Sequence, residues 1–378
     1  MSNPILTAAM LIEANGAALN NAGNDTGQRL DNAVVVKQIR VGKNAYPYIS
    51  GQAVRRWWRE VLYSDFAWKP SPVTREAKSA FTQGDPINYP DDDVFGYMAA
   101  KKAKKPSKKS KKGEAPSELS LLEGEGTEGL LGEAEGSDEA GSGGTQRRIS
   151  PLKNSLIVAV LPRSITSDFG HFSRDLPVDN PNMVPFEHEH YTALMQGVFT
   201  LNLQDVGKFE CGLMRDIALE TPVSANAEVI CEADGNLQPR VLGVSLTERR
   251  KRVKETLNAL GRLRYGANLT RNLSDVVPVV VLLGYLDGGN APFQNLFNPT
   301  PDERVSLNLP RLISVLKDYN DRMLGGNKLF FGYRPGVLAN ETEVIAALGD
   351  GIAGISFFVG TPGEAIKEAA ALTDSVVS

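Results

Sequence analysis

From Lys101 to Thr145 the sequence stops reading like core-forming chain. KKAKKPSKKSKK carries eight lysines in twelve residues, and GEAPSELSLLEGEGTEGLLGEAEGSDEAGSGGT after it holds nine acids, nine glycines and no base. Such a segment cannot bury enough apolar surface to offset the entropy of ordering it. Residues 101–145 are therefore expected to form a flexible surface insertion, and the folded body has to be assembled from the sequence on either side. The plain reading of the insertion is a solvated loop whose two halves attract each other. The sharper one is that Lys101, Lys102, Lys104, Lys105, Lys108, Lys109, Lys111 and Lys112 reach a DNA phosphate backbone while the acidic half limits indiscriminate binding.

The flanking sequence, in a chain of 378 residues, has ample apolar content for a core, with 42% hydrophobic residues overall. A formal charge of −4 gives no global pull toward nucleic acid, so any such role must rest on local basic patches. Cys211 and Cys231 have no CxxC partner and make no disulfide framework, which fits a reducing cytoplasm. MSNPILTAAMLIEANG lacks the basic start of a secretory signal, and VVPVVVLLGYL at 276–286 is too short to span a bilayer. The expectation is a cytoplasmic protein that makes no use of membranes.

Order resumes at RRISPLKNSLIVAVLP (147–162), whose apolar run suggests a buried strand, and MQGVFTLNLQDVG (195–207) alternates as a half-buried strand does. VVPVVVLLGYL and GISFFVG (354–360) read as further strands. SLTERRKRVKETLNALGRLRYG reads as a helix, with Ser245 and Glu248 as a capping box, Val253, Leu257 and Leu260 inward, and Gly266 just past its end. Strands interleaved with helices make an α+β domain. ILTAAMLIEAN stays open between helix and strand, because its residue types favour the first and its alternation the second.

YPYISGQAVRRWWREVL (46–62) is a helix start: Ser50 is placed to cap it, and Val54, Trp57, Trp58 and Val61 share one apolar face. Gln52, Arg55, Arg56 and Arg59 form another stripe at the end where free N–H groups favour an anion such as phosphate. The bland alternative is a solvated face with Arg56 and Glu60 paired. SDFGHFSRD (167–175) offers Phe169, His171, Phe172 and Arg174, aromatic and basic groups suited to stacking on unpaired bases, or to pinning a loop. GRLRYGANLTRNLSD (261–275) sets Arg262, Arg264 and Arg271 around Gly266 and Asn268, so that backbone and side-chain donors could meet an anion together. No P-loop, GxSxG or HExxH motif occurs. HEH at 188–190 with a distant His171 is a poor metal signature, so no metal or other cofactor is expected.

Taken in order, GNDTGQRLDNAV, PYISGQAVRRWWREVL, DVFGYMAA, RRISPLKNSLIVAVLP, DFGHFSRD, FTLNL and GANLTRNLSDVVPVVVLLG resemble the CRISPR-associated Cas seven family in its DevR-like (type I-B-like) branch. Outside 101–145 the likeness spans most of the chain. It implies an α+β fold with an RRM-like (ferredoxin-like) palm built from 1–60, 149–163 and 195–378, a helical fingers insertion over 61–148 and a thumb-like hairpin over 164–194. It implies a non-enzymatic, crRNA-binding backbone subunit of Cascade, stacked head to tail on the guide and presenting it to target DNA beside other Cascade subunits. Whether a nuclease or a transposition machinery is also a partner stays open.

Carried onto this sequence, the resemblance gives Gln52, Arg55, Arg56 and Arg59 to the guide phosphates and turns ILTAAMLIEAN into the first palm strand. Two other functions are weighed against it. Related type III subunits cleave target RNA with a loop aspartate, and Asp31 in LDNAV holds a comparable position; a lone carboxylate, however, needs a metal or another activating group to assist such cleavage. The second is a free-standing RNA-binding regulator, which filament formation on crRNA would separate from a backbone subunit.

Overall fold

ILTAAMLIEAN lies within a strand, β1 (Pro4–Ala17), in a computed structural model that describes residues 3–24, 33–76, 79–100, 145–172, 184–234, 239–270 and 272–378. The alternation decides it. Leu6, Ala8, Met10, Ile12 and Ala14 enter one hydrophobic core, and Ile5, Ala9 and Leu11 enter a second one on the other face. A strand covered on both faces is apolar almost throughout, which is why its composition reads like that of a buried helix.

Around β1 the described residues build a large mixed sheet with six α-helices, an α+β fold. Its main strands are β2 (Gln38–Val41), β3 (Asn44–Ile49), β4 (Leu152–Asn154), β5 (Ile157–Ala159), β6 (Thr166–Phe172), β7 (Val184–Asn202), β8 (Val280–Asp287), β9 (Lys328–Tyr333) and β10 (Ser356–Gly360). The order across the sheet is β10, β9, β8, β1, β7, β5, β3, β2, while β4 and β6 pair with β7 off that path. Within β8, β1, β7 and β5 every pairing is antiparallel.

The helices are α1 (Gly51–Phe66), α2 (Pro90–Phe95), α3 (Leu246–Leu260), α4 (Leu309–Asp318), α5 (Glu341–Asp350) and α6 (Pro362–Val376). α1, α3 and α6 contribute to the core on one face of the sheet, and α4 and α5 to the core on the other. Trp58 of α1 is fully buried, meets Phe199 of β7 edge-on at 5.2 Å and donates its indole N–H to the Thr256 carbonyl of α3 at 2.8 Å. Burying that indole without a partner would carry a desolvation cost, and the bond removes it.

Three expectations differ from what forms. Past the strand that ends at Arg148, the run at 147–162 forms two short strands, β4 and β5, because Ser155 interrupts the ladder: its N–H donates to Val198 O at 2.9 Å and its hydroxyl accepts from Val198 N at 3.0 Å. α3 has half of its capping box, since Ser245 Oγ accepts from Glu248 N at 3.3 Å while Glu248 turns to Arg252 at 3.1 Å, and the helix closes at Gly261 rather than Gly266. The described part of the expected helical fingers holds more strand than helix beyond the end of α1: Val73–Glu76 pairs with Ser79–Thr82, and Tyr97–Ala100 with Thr145–Arg148, beside the short α2.

Candidate nucleic-acid interface

Ser50 caps α1 as its position requires, its hydroxyl accepting from Ala53 N at 3.3 Å. Val54, Trp57, Trp58 and Val61 form the buried face. Beside this helix start lie two other parts of the chain. Asn20, just past β1, accepts the Ser50 N–H through Oδ1 at 2.8 Å, and the neighbouring Leu19 carbonyl accepts from Ala267 N at 3.2 Å. The root of the β6–β7 hairpin arrives at the same place, with Thr192 Oγ1 accepting from Gly16 N at 3.0 Å. The SGQAVRR helix start, the GANLT loop and the hairpin root therefore meet at one end of the sheet.

The arginine stripe divides into three environments. Arg55 turns inward: its guanidinium donates to Leu152 O at 2.6 Å, Phe95 O at 2.5 Å and Ser150 Oγ at 2.9 Å, clamping α1 to α2 and β4. Arg56 and Gln52 are exposed in the first turns of α1, and the Arg56–Glu60 pair does not form among the described residues. Arg59 lies between these extremes, its guanidinium 4.5 Å from the Phe95 ring centroid. Phe95 is thus a platform for Arg59 and, at 5.2 Å, for Arg55, and it presets the stripe through cation–π contact. Arg56, exposed in the second turn of α1, leaves charge near the helix N-terminus, which suits an oxyanion, and half-buried Arg59 lies one turn further along the helix.

The remaining predicted residues are more scattered. Phe169 and His171 are exposed on β6 and contact each other edge-on at 4.8 Å, so the hairpin presents an aromatic pair. Arg264 is bound to Asp65 at the C-terminal end of α1 and donates to Ser64 Oγ at 2.7 Å, away from the helix start. That arginine holds the Asp65 carboxyl well below the usual carboxylate range. Asn268 adopts the left-handed conformation, φ 57°, and its carbonyl accepts from Asn272 N at 2.9 Å, shaping the loop. Asp31, Arg174, Arg271 and the eight lysines of 101–112 lie outside the described residues.

DVFGYMAA has a chemistry that reading it as a motif does not disclose. Three buried carboxylates open α2. Asp91 accepts from Tyr63 OH at 2.8 Å, and Asp92 from Ser71 Oγ at 2.8 Å and from Asp85 N at 3.0 Å. Burial pushes the Asp92 carboxyl up. Asp93 alone meets arginine: Arg252 Nη1 at 2.7 Å, Arg148 through Nη2, and the Gly207 N–H at 2.9 Å. Arg148 continues to Asp216 at 3.0 Å, so one buried network ties α2 to α3 and to the turn after β7. Gly96 ends α2 at φ 70°, where a Cβ would stand 2.6 Å from Arg148 O. Only glycine fits there.

No family model and no curated protein matches the chain. Two solved chains align with it nearly end to end. One, titled "CRISPR RNA-guided surveillance complex", is 10% identical over 97% of this chain and 98% of its own, with a TM-score of 0.46. The other, titled "CRISPR RNA-guided surveillance complex, pre-nicking", is 10% identical over 98% of this chain and 100% of its own, with a TM-score of 0.48. Each is a similarity and no more. Among the described residues no group of three His, Cys, Asp or Glu side chains is placed to hold a metal ion, and no helix is long and apolar enough to cross a membrane.

Proposed function

We propose that this chain is a crRNA-binding backbone subunit of a CRISPR surveillance complex, of the Cas seven type, which polymerises along the guide and carries no catalytic chemistry of its own. The observation that carries the reading is the meeting, at one end of the sheet, of the SGQAVRR helix start, the 266–270 loop and the root of the β6–β7 hairpin. The chain order of β1, α1, β5, β7, α3 and β8, with strands adjacent as β8, β1, β7, β5, is the order an RRM-like palm has, and it supports that part of the reading. In this account the phosphates of the guide sit against α1 through Gln52, Arg56 and Arg59, while Arg55 and Phe95 hold the stripe in place. Phe169 and His171 supply stacking surface on the hairpin.

The direct test is expression of the full chain beside a CRISPR array, followed by purification, ribonuclease treatment and sequencing of the retained RNA. The reading expects protected guide RNA in regularly spaced lengths. Retention of no RNA, or of RNA without selection for the array transcript, contradicts it. Protected array RNA bound by single copies without filaments would favour the regulator instead.

A further inference from the structure

At the end of the sheet away from the α1 helix start lies a concavity of about 210 Å³. Pro4, which opens β1, is on its wall, whereas Ala17 at the other end of β1 adjoins the hairpin root; at about 3.3 Å per residue the two places stand roughly 40 Å apart. The turn after β7, the first turn of α3 and the last turn of α6 supply most of the remaining wall. Pro4, Leu203, Leu324 and Val376 make part of it apolar, and no Asp or Glu side chain lines it. Two bases do, Lys208 and Arg249.

Arg249 is 4% exposed, as deeply placed as Arg148, yet its contacts are of another kind. Arg148 and Arg252 meet the Asp93 carboxylate. Among the described residues Arg249 donates to carbonyls alone: Val206 O at 2.8 Å, Ser378 O at 2.6 Å, Leu203 O at 3.0 Å and Gln204 O at 3.4 Å. A guanidinium has five N–H groups, so one on Nη1 is left without an acceptor there. Carbonyls satisfy hydrogen bonds but leave the charge uncancelled, and a buried charge without a counter-charge is costly. Burial pushes this guanidinium down from its ordinary value, with Asp93 opposing from beyond contact. Lys208, which opens the short strand Lys208–Glu210, is half-buried, and its ammonium has no hydrogen-bond or ion-pair partner among the described residues. Burial and then the neighbouring Arg249 push it down from the ordinary lysine value, and Asp205 opposes them more weakly. The Gln204 side-chain amide is likewise without a partner among the described residues. Both backbones are pinned, since Arg148 Nη1 donates to Lys208 O at 3.1 Å and Gln204 N to Asn202 Oδ1 at 3.0 Å, so the donors are preset. The C-terminal end of α6 is already met by bases, with Arg250 donating to Val377 O at 3.0 Å and Arg249 to Ser378 O.

We infer that this concavity is a second anion site, in which Lys208 Nζ, the remaining Arg249 N–H and the Gln204 amide hold a phosphate-type oxyanion. Two fixed cations and an amide donor within a partly apolar wall suit a small dianion with several acceptor oxygens. The volume lies below the roughly 300–1,000 Å³ of pockets that enclose drug-sized ligands, so the site takes a phosphate group and not a whole nucleoside. The rest of a phosphomonoester would extend to solvent. By position the site is separate from the arginine stripe on α1, and it makes no use of the guide.

The test is a titration of the full chain, stripped of nucleic acid, with inorganic phosphate at constant ionic strength, read by melting temperature and by phosphorus-31 NMR linewidth. The melting temperature should rise saturably with a midpoint near or below about 1 mM, and the phosphorus line should broaden. Lys208→Met should raise the midpoint about tenfold or more, as loss of one charge-assisted hydrogen bond does, and Gln204→Leu by about two- to tenfold. Arg56→Ala with Arg59→Ala, at the far end of the sheet, should leave the midpoint where it is. Adenosine monophosphate forms a second arm that separates the sources of the group: saturation at lower concentration than phosphate marks an esterified phosphate as the ligand, and saturation at higher concentration marks the free ion. No saturable response to either, as a concavity satisfied by the chain's own groups would give, overturns the inference. So does a midpoint unchanged in both Lys208→Met and Gln204→Leu, or a response lost with Arg56 and Arg59, which would place phosphate on α1 alone.

Discussion

Replacing Asp93 with asparagine should be among the most damaging single changes the chain can take. The carboxylate is fully buried, and it faces the guanidinium groups of Arg148 and Arg252, each with its side chain 2% exposed. Asparagine keeps the size but removes the charge and leaves one oxygen where two accepted. Breaking a buried ion pair by removing one partner costs about 3–5 kcal/mol, because the other charge stays in low dielectric without compensation. Here two cations lose their common partner, while Asp216 on Arg148 and Glu248 on Arg252 remain to soften the loss. The Gly207 N–H, 2.9 Å from Asp93, is left weaker or unpaired. The expected loss is about 3–4 kcal/mol, a large share of the roughly 5–15 kcal/mol that holds a domain together. Equilibrium urea denaturation followed by tryptophan fluorescence measures it. A variant within about 1 kcal/mol of wild type would refute the network argument, since exposed pairs are the ones worth so little.

Other outcomes follow from the same geometry. Gly96→Ala should lose at least about 2 kcal/mol in the same assay, from left-handed strain plus a Cβ forced against Arg148 O, and wild-type stability would mean the turn after α2 can be rebuilt. Asp65 has its folded pKa lowered by Arg264, so the stability it contributes is present above the ordinary aspartate value of about 3.9 and is lost as pH falls through the lower folded value. Asp65→Asn should therefore be less stable than wild type at pH 7, by under about 1 kcal/mol, and equal to it in strong acid, with thermal melts across pH as the check. Complexes offered complementary RNA with Mg²⁺ should show no cleavage on a denaturing gel, and regularly spaced products that vanish in Asp31→Ala would make the chain an enzyme.

The sequence displays the α1 helix start well because its signals are local: a cap residue, an apolar face and a polar stripe are all read within one helix. β1 was legible only as an alternation, and its burial on two faces comes from neighbours far away in the chain, β7 and β8. Arg55 is the sharpest case at the site. On the helix it is indistinguishable from Arg56, yet β4 and α2 arrive to accept its hydrogen bonds, and nothing near residue 55 announces them. The same holds for Phe95 and Asp93, whose partners Arg59, Arg148 and Arg252 are brought together by the fold. Arg264 shows the reverse, a basic residue that the sequence offers to an anion and that the structure gives to Asp65.

The salt dependence of RNA binding decides whether the α1 stripe meets phosphate. Fluorescence anisotropy of a labelled single-stranded guide, titrated with protein from low to moderate salt, gives the slope of log K against log salt. Each phosphate contact on a single strand contributes about 0.7 to that slope. Arg56→Ala with Arg59→Ala should therefore bind more weakly and reduce the slope by about 1.4, with the circular dichroism spectrum unchanged because neither side chain belongs to the buried face of α1. An identical slope in the double variant would mean that these arginines are only the solvated side of a helix, and the nucleic-acid interface would have to be sought elsewhere.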